Sequence, residues 1–333
     1  MPRPKRAKSA APERVIRVAF IGAGGRATTS HYPSIRDIPG AEICAIAELD
    51  AEKMRKAAEQ FGVKATYANY REMIEKERPD VVYAIMPSHH LYDVAFAVMN
   101  AGCHLIIEKP PAVTTEQARQ MAILARKKGL ITGVTLQRRY SPVVRAARKL
   151  CEERGPVHTA AAIFYKNTVG GGPYYGGAMD ILTCEGIHAV DTLRYLCGGD
   201  VVAVASDVRR LLADHFTAYY ALVRFSSGAT GVLLSNWMAG RRFFTFELHG
   251  VGISVFGDPD EGGRAYADNQ KEPLRTLDPF ELAASKEPYR AFGEYDMNAH
   301  FLSCVRRGVQ PETNFDDAVK TMELVDRIYQ SQI

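Results

Sequence analysis

Two side chains in this sequence have the chemistry to move a proton. They are Lys109, in Glu108-Lys109-Pro110, and His188, in Gly186-Ile187-His188. Lys109 follows His104-Leu105-Ile106-Ile107, a run apolar enough to form a buried strand, and a proline-stiffened turn holds it at the carboxyl end. In a doubly wound sheet, ligands bind at that end of the strands. An ammonium there can stabilise developing alkoxide charge and share the departing proton. His188 is the natural base, because imidazole is neutral over much of the physiological range. On residue type alone Lys109 reads as a surface lysine and His188 as a core histidine. Position in the fold reverses the reading of Lys109, provided a nucleotide fold lies upstream, and leaves both readings of His188 open.

Upstream, Arg14 to Ile21 reads as a first strand, and Gly22-Ala23-Gly24-Gly25-Arg26-Ala27 follows at once. This matches G-x-G-x-x-G/A, with Ala27 in the third place. Gly22 permits the tight turn, Gly24 and Gly25 let the backbone approach a diphosphate, and Ala27 lets the helix beginning near Arg26 pack close. Ala41 to Ala47 is the second strand, and Glu48 ends it. A carboxylate there accepts the ribose hydroxyls and repels a 2′-phosphate, which favours NAD over NADP. Arg26 or Arg55 would hold the phosphate in the opposite case. Pro87 and His90 follow a third buried run, Asp80 to Ile85, and with Glu108 and Lys109 they complete the expected cofactor end.

These positions demand a βαβ series, and the pattern supplies one. Helices are expected over 51–61, 70–76, 91–100 and 114–128, the last with Thr114 and Gln117 at capping-box spacing. Leu130 to Val134 is a further strand. The second half changes character. A helix over 142–154 precedes strand-like runs at 157–165, 201–208, 218–225, 230–237, 245–249 and 254–256, as for an open antiparallel sheet. Helices return at 289–307 and 314–330. The fold class is therefore α/β, an N-terminal Rossmann-type parallel sheet followed by a C-terminal α+β unit. The expected division is a basic tail over 1–13, a dinucleotide-binding domain over 14–137, and a substrate and oligomerisation domain over 138–313.

The chain of 333 residues suits two such domains, and 47% hydrophobic residues supply cores for both. The net charge is only +4, with Arg3, Lys5, Arg6, Lys8 and Arg14 at the start. A solvated tail explains that excess better than a nucleic-acid arm, and no nucleic-acid partner is expected. No apolar run reaches transmembrane length, so no membrane partner is expected either. Six scattered cysteines without a C-x-x-C pair point to reduced, buried thiols and a cytoplasmic location.

The glycine turn, Glu48, Pro87, Glu108-Lys109-Pro110 and His188 together resemble the Gfo/Idh/MocA oxidoreductase family. Ala101 to Pro110 is similar to the family's "aGkHVlcEKP", and Gly186 to Leu196 to its helix after the substrate loop. The ending, 314–330, resembles the last helix, which in the family packs back on the nucleotide domain. The resemblance implies NAD(P)-dependent hydride transfer on a secondary alcohol of a cyclic sugar, cyclitol or related polyol. It also implies a homodimer or homotetramer formed through the C-terminal sheet, with Lys109 and His188 in the catalytic roles. Two other outcomes stay open, a redox-recycling glycosidase or epimerase and a non-catalytic nucleotide-binding sensor.

One departure stands out. The family usually places an aspartate four residues before this histidine, to orient and charge-stabilise the imidazole. Here that position is Cys184, with Glu185 and Asp180 as the available stand-ins and Asp191 expected to be structural. Arg138, Tyr165, Lys166 and Glu185 join Lys109 and His188 as expected substrate contacts, and of Arg138 and Arg139 one is expected to face substrate and the other solvent. Tyr174 and Tyr175 are pocket candidates, and Trp237 a packing residue. His89 and His90 have no acidic or cysteine partner nearby, so no metal is expected.

Overall fold

The structure is a computed structural model and describes residues 14–333. The basic tail expected over 1–13 lies outside the described residues.

The first half winds as strand and helix in alternation. It opens with β1 (Ile16–Ile21), α1 (Tyr32–Asp37), β2 (Ala41–Ala47), α2 (Ala51–Phe61), β3 (Ala65–Tyr67) and α3 (Tyr70–Glu77). It continues with β4 (Val81–Ala84), α4 (Leu91–Asn100), β5 (His104–Ile107), α5 (Thr115–Lys128) and β6 (Thr132–Val134). β4 is buried at every position, as a strand must be when helices cover both faces of its sheet. Asp50 accepts hydrogen bonds from the Glu52 and Lys53 N–H groups, and Thr114 from that of Gln117, so α2 and α5 start where the sequence supplies a cap. The six strands are parallel, in the order β3-β2-β1-β4-β5-β6. The winding reverses between β1 and β4, which opens a crevice at their carboxyl ends. There Gly22 adopts φ +106, and a Cβ on it would sit 2.1 Å from the Ile85 carbonyl oxygen. Only glycine lets the two strand ends approach this closely.

The second half holds α6 (Pro142–Glu152), β7 (Thr159–Asn167), α7 (Ile187–Cys197), β8 (Val201–Arg209), β9 (Ala218–Phe225) and β10 (Thr230–Asn236). Then come β11 (Met238–Gly250), β12 (Ile253–Asp258), β13 (Gly262–Ala267) and β14 (Arg275–Leu277). These eight strands form one sheet in the order β14-β13-β12-β11-β7-β10-β9-β8. The sheet is not wholly antiparallel as expected, because β7 and β10 run parallel at its centre. A parallel pair needs a long crossover, and the glycine-rich loop with α7, β8 and β9 provides it. Apolar alternation within a strand carries no record of its partner's direction. β3, β13 and β14 went unforeseen because they are short or glycine-bearing, and β11 begins seven residues before the expected Thr245.

The chain closes with α8 (Pro279–Leu282), α9 (Pro288–Ala291), α10 (Glu294–Arg307) and α11 (Phe315–Gln330). The single helix expected over 289–307 is broken at Gly293, whose φ of +93 caps α10 while its Cα lies against the Gln137–Ser141 backbone.

One face of the large sheet packs on α6, α7 and α11, with Phe164, Leu193, Trp237 and Phe246 among its core residues. Strand register places Leu222, Val232, Ala161, Glu247 and Phe256 in one row on the other face. α11 serves both halves. Phe315, Ala318 and Met322 enter the core beneath the parallel sheet, whereas Leu324, Val325 and Ile328 enter that of the large sheet.

Candidate active site

A cleft of about 530 Å³ lies between the carboxyl ends of β1, β4 and β5 and the covered face of the large sheet. One wall carries Gly24, Gly25, Arg26, Pro87, Glu108 and Lys109, and the other Phe164, Lys166, Arg242 and Phe244. Arg138, Glu185 and His188 also line it. The structure therefore brings the glycine turn, the lysine after β5 and the histidine of α7 to one place.

Lys109 is fixed through its backbone. Its N–H donates to Glu108 Oε2 at 3.0 Å and Thr135 Oγ1 at 3.1 Å, and its carbonyl accepts from Ser88 Oγ at 2.8 Å. With the main chain clamped, the side chain reaches across the cleft and Nζ donates to the Cys184 carbonyl oxygen at 2.9 Å. This single contact joins the end of β5 to the turn leading into α7. That turn, Leu182–Gly186, is a widened π-helical turn, a distortion frequently found at functional sites.

His188 lies in the first turn of α7, and its Nδ1 is buried with no hydrogen-bond partner among the described residues. Burial holds its imidazole well below the ordinary histidine range, and the charges of Lys109, Arg138, Arg26 and Arg242 press in the same direction. The ring is therefore neutral at physiological pH, and a weaker base than an unperturbed histidine. Neither expected stand-in for the missing aspartate reaches it. Glu185 is ion-paired with Lys166. Asp180 accepts from the Thr183 N–H at 2.9 Å and the Tyr329 hydroxyl at 2.7 Å. Cys184 is buried, its thiol pushed up to about 11 by that burial, so it offers no charge in place of a carboxylate.

Behind the glycine turn, Arg26 and Glu108, both expected at the cofactor end, join a cluster whose other members, His31, Glu294 and Asn298, sequence reasoning missed. Arg26 Nη1 donates to Glu294 Oε1 at 2.9 Å, and its Nε stands 3.6 Å from Glu108 Oε1. Buried His31 holds Asn298 through Nδ1 at 3.2 Å and presents Nε2 to Glu108 at 3.9 Å. Burial opposes the charge on Glu108, but His31, Arg26 and Lys109 outweigh it and bring that carboxyl down to about 2. Glu294 and Asn298 come from α10, far along the chain, and nothing in their local sequence marks them.

Gly24 and Gly25 face open space, where an added Cβ would meet nothing within 4 Å. Glu48 stands beside them, its Oε2 accepting from the Ala23 N–H at 2.7 Å and its Oε1 from that of Asp50 at 3.0 Å. An open glycine turn with an acid at the end of β2 fits a dinucleotide, and these residues would hold NAD through its diphosphate and ribose.

Several expectations need correction. Tyr165 is not in the cleft, because a strand alternates its faces. Phe164 and Lys166 point into the cleft, whereas Tyr165 packs at 5.1 Å on Phe243 on the opposite face. His90 is exposed, its ring tilted against that of His89 with centroids 3.9 Å apart, and it does not line the cleft. Arg138 faces the cleft as expected, ion-paired with Asp260, but Arg139 does not face solvent. Arg139 is buried in an ion pair with Asp191, Nε donating to Oδ2 at 2.7 Å. Of the two tyrosines, Tyr175 lines the cleft, whereas the Tyr174 hydroxyl accepts from Trp237 Nε1 at 3.2 Å. Phe244 and Arg242 went unseen because the first half of β11 does not read as a strand.

Comparison with known proteins agrees with this architecture. Residues 16–136 match the model of an oxidoreductase family with an NAD-binding Rossmann fold, and residues 146–255 match the GFO/IDH/MocA C-terminal domain. The chain is 29% identical to a D-apiose dehydrogenase of Paraburkholderia graminis, over 94% of this chain and 86% of that protein. It is 28% identical to a levoglucosan dehydrogenase of Pseudarthrobacter phenanthrenivorans, over 68% of each. A dehydrogenase from Chromobacterium violaceum shares the fold with a TM-score of 0.85 at 21% identity, covering 96% of both chains.

Proposed function

The chain belongs to the Gfo/Idh/MocA oxidoreductase family, and from that premise we propose that it oxidises a secondary alcohol of a cyclic sugar, cyclitol or related polyol with NAD, using Lys109 and His188. The supporting observation is the convergence of the two side chains. Lys109 Nζ is hydrogen-bonded to a carbonyl four residues before His188, within the cleft that the open glycine turn borders.

When bound, NAD supplies the hydride acceptor. Lys109 stabilises the negative charge that grows on the carbinol oxygen, an interaction stronger in the transition state than in the ground state. His188, neutral and buried, accepts the hydroxyl proton at an imidazole nitrogen. Pro87 and Ser88 hold the backbone that faces Lys109, and Phe164 with Phe244 gives the substrate an apolar floor.

A substrate panel of neutral sugars, cyclitols and sugar acids followed by NADH absorbance tests this function, with the bound nucleotide identified by mass spectrometry. Lys109→Ala should lower kcat by at least roughly a hundredfold while leaving NAD affinity within a few-fold. Near-normal turnover in that variant removes Lys109 from the mechanism.

We also infer association through the open face of the large sheet, as a homodimer or homotetramer. Leu222 and Phe256 are 54% and 45% exposed in one register row there, with Val232 and Ala161 in the same row, and this supports the reading. Light scattering reads the mass, and Leu222→Glu should shift it to the monomer. All six cysteines are free, which supports a reducing cytoplasmic location, testable by fractionation.

A further inference from the structure

The two walls of the cleft differ in charge balance. On the glycine-turn wall Arg26 is matched by Glu108 and Glu294. On the sheet side Lys166 is matched by Glu185, and Arg138 by Asp260. Arg242 has no acidic partner within 4 Å among the described residues, and its guanidinium rests 5.6 Å over the Phe164 ring. Arg138 rests 5.4 Å over Phe244, and Phe164 and Phe244 meet edge to face at 5.1 Å. Two guanidinium groups are thus held over one aromatic floor. Arg138 is only 8% exposed, and its Nε is buried without a partner among the described residues. The Asp260 contact uses Nη1 and leaves that donor unsatisfied. An unsatisfied buried donor costs free energy unless a ligand accepts from it.

We propose that the substrate carries a carboxylate, received by Arg242 and Arg138 on the sheet side of the cleft, beside the hydroxyl that is oxidised. This inference rests on the cleft being the alcohol-oxidising site. The diphosphate of a dinucleotide has its own donors at the glycine turn on the opposite wall, so it does not account for these two arginines. A guanidinium matches a carboxylate in shape and can donate two parallel hydrogen bonds to it. One uncompensated arginine balances a monoanion, which favours a carboxylate over a phosphate dianion. A uronate or aldonate, a polyol with one carboxyl group, meets the requirement. The aromatic floor takes the apolar face of its ring or chain.

The experiment compares matched pairs on the NAD-loaded enzyme, D-glucuronate against D-glucose and D-galacturonate against D-galactose, with D-glucose 6-phosphate as the dianion. The expected result is a kcat/KM for an acid roughly tenfold or more above that of its neutral partner, carried mainly by KM and reduced by added salt. Arg242→Ala should bring that ratio close to one. Arg241→Ala should preserve it, because Arg241, exposed like its neighbour, does not line the cleft. Equal or better turnover of the neutral sugars overturns the carboxylate and leaves alcohol oxidation standing. A preference for the phosphate also overturns it. If no member of the panel is oxidised, the functional reading fails, and calorimetry with D-glucuronate decides this inference separately. Binding that Arg242→Ala abolishes upholds the site, and absence of binding removes it.

Discussion

At the scale of single residues, the support of the histidine departs from the pattern that the family resemblance implies. With Cys184 in the place of an aspartate, and Glu185 and Asp180 engaged elsewhere, His188 stands among positive charges with no acid to favour its protonated form. The acid limb of the oxidative pH–rate profile should therefore lie below the ordinary histidine value of about 6.5. His188→Ala should remove that limb, and Cys184→Asp should move it upward, since a carboxylate there stabilises imidazolium. An unchanged profile in Cys184→Asp would show that orientation through this position does not matter. Stability follows the same sign. A histidine depressed in the folded state binds its proton more readily when unfolded, so stability is full above about 6.5 and falls below it. Glu108, at about 2 against an ordinary 4.5, loses its contribution as pH falls between those values. Thermal melts should show His188→Asn less sensitive than wild type between about pH 6.5 and 5. Glu48 makes the remaining residue-scale prediction. NAD should bind more tightly than NADP by calorimetry, and Glu48→Ser should narrow the gap by removing a carboxylate that repels a 2′-phosphate.

At the scale of elements, the site depends on turns that pack against each other. The turn Gln137–Tyr140 carries Arg138 into the cleft, and Gly293 at the start of α10 holds it in place. A Cβ at Gly293 would lie 2.6 Å from both Ser141 N and Tyr140 C, with φ at +93. Gly102 has a similar φ of +86 but nothing within 4 Å. Gly102→Ala should cost about 1 kcal/mol, from backbone conformation alone. Gly293→Ala should cost more than about 2 kcal/mol and raise KM as well, because Arg138 moves with its turn. Denaturant unfolding paired with steady-state kinetics separates the two variants. Equal effects would mean that the contact between α10 and this turn is soft.

At the scale of the whole molecule, α11 and a buried charge network tie the two halves together. Arg139 pairs with Asp191 of α7 and, at 2.6 Å, with Asp317 of α11. Arg194 of α7 reaches Asp317 at 3.1 Å and the Thr321 hydroxyl at 2.6 Å. These groups span the junction between the sheets without lining the cleft. Asp191→Ala leaves the Arg139 guanidinium short of a buried partner and should destabilise the fold by roughly 3–5 kcal/mol. Its kcat should stay near wild type below the melting temperature, since the junction sets the stability of the cleft and takes no part in the chemistry. A kcat loss matching that of Lys109→Ala would place the network within the mechanism instead.

Much of this molecule was legible from one chain of residues. The glycine turn, the apolar run ending at Lys109 and the helix bearing His188 announce themselves because their physics is local. A tight turn needs glycine, a strand buried on both faces reads as continuous apolar residues, and a helix repeats its apolar stripe. Local signals also placed the acid of Glu48 and separated an α/β half from an α+β half. What only the tertiary structure decided is everything set by meetings between distant segments. The direction of β7 beside β10, the break at Gly293, the burial of Arg139 and the outward turn of Tyr165 all depend on partners that sequence neighbours do not reveal. So does the site's electrostatic character. Arg26, Arg138, Lys166 and Arg242 come from separate elements, and only folding places them around one histidine without an acid beside it.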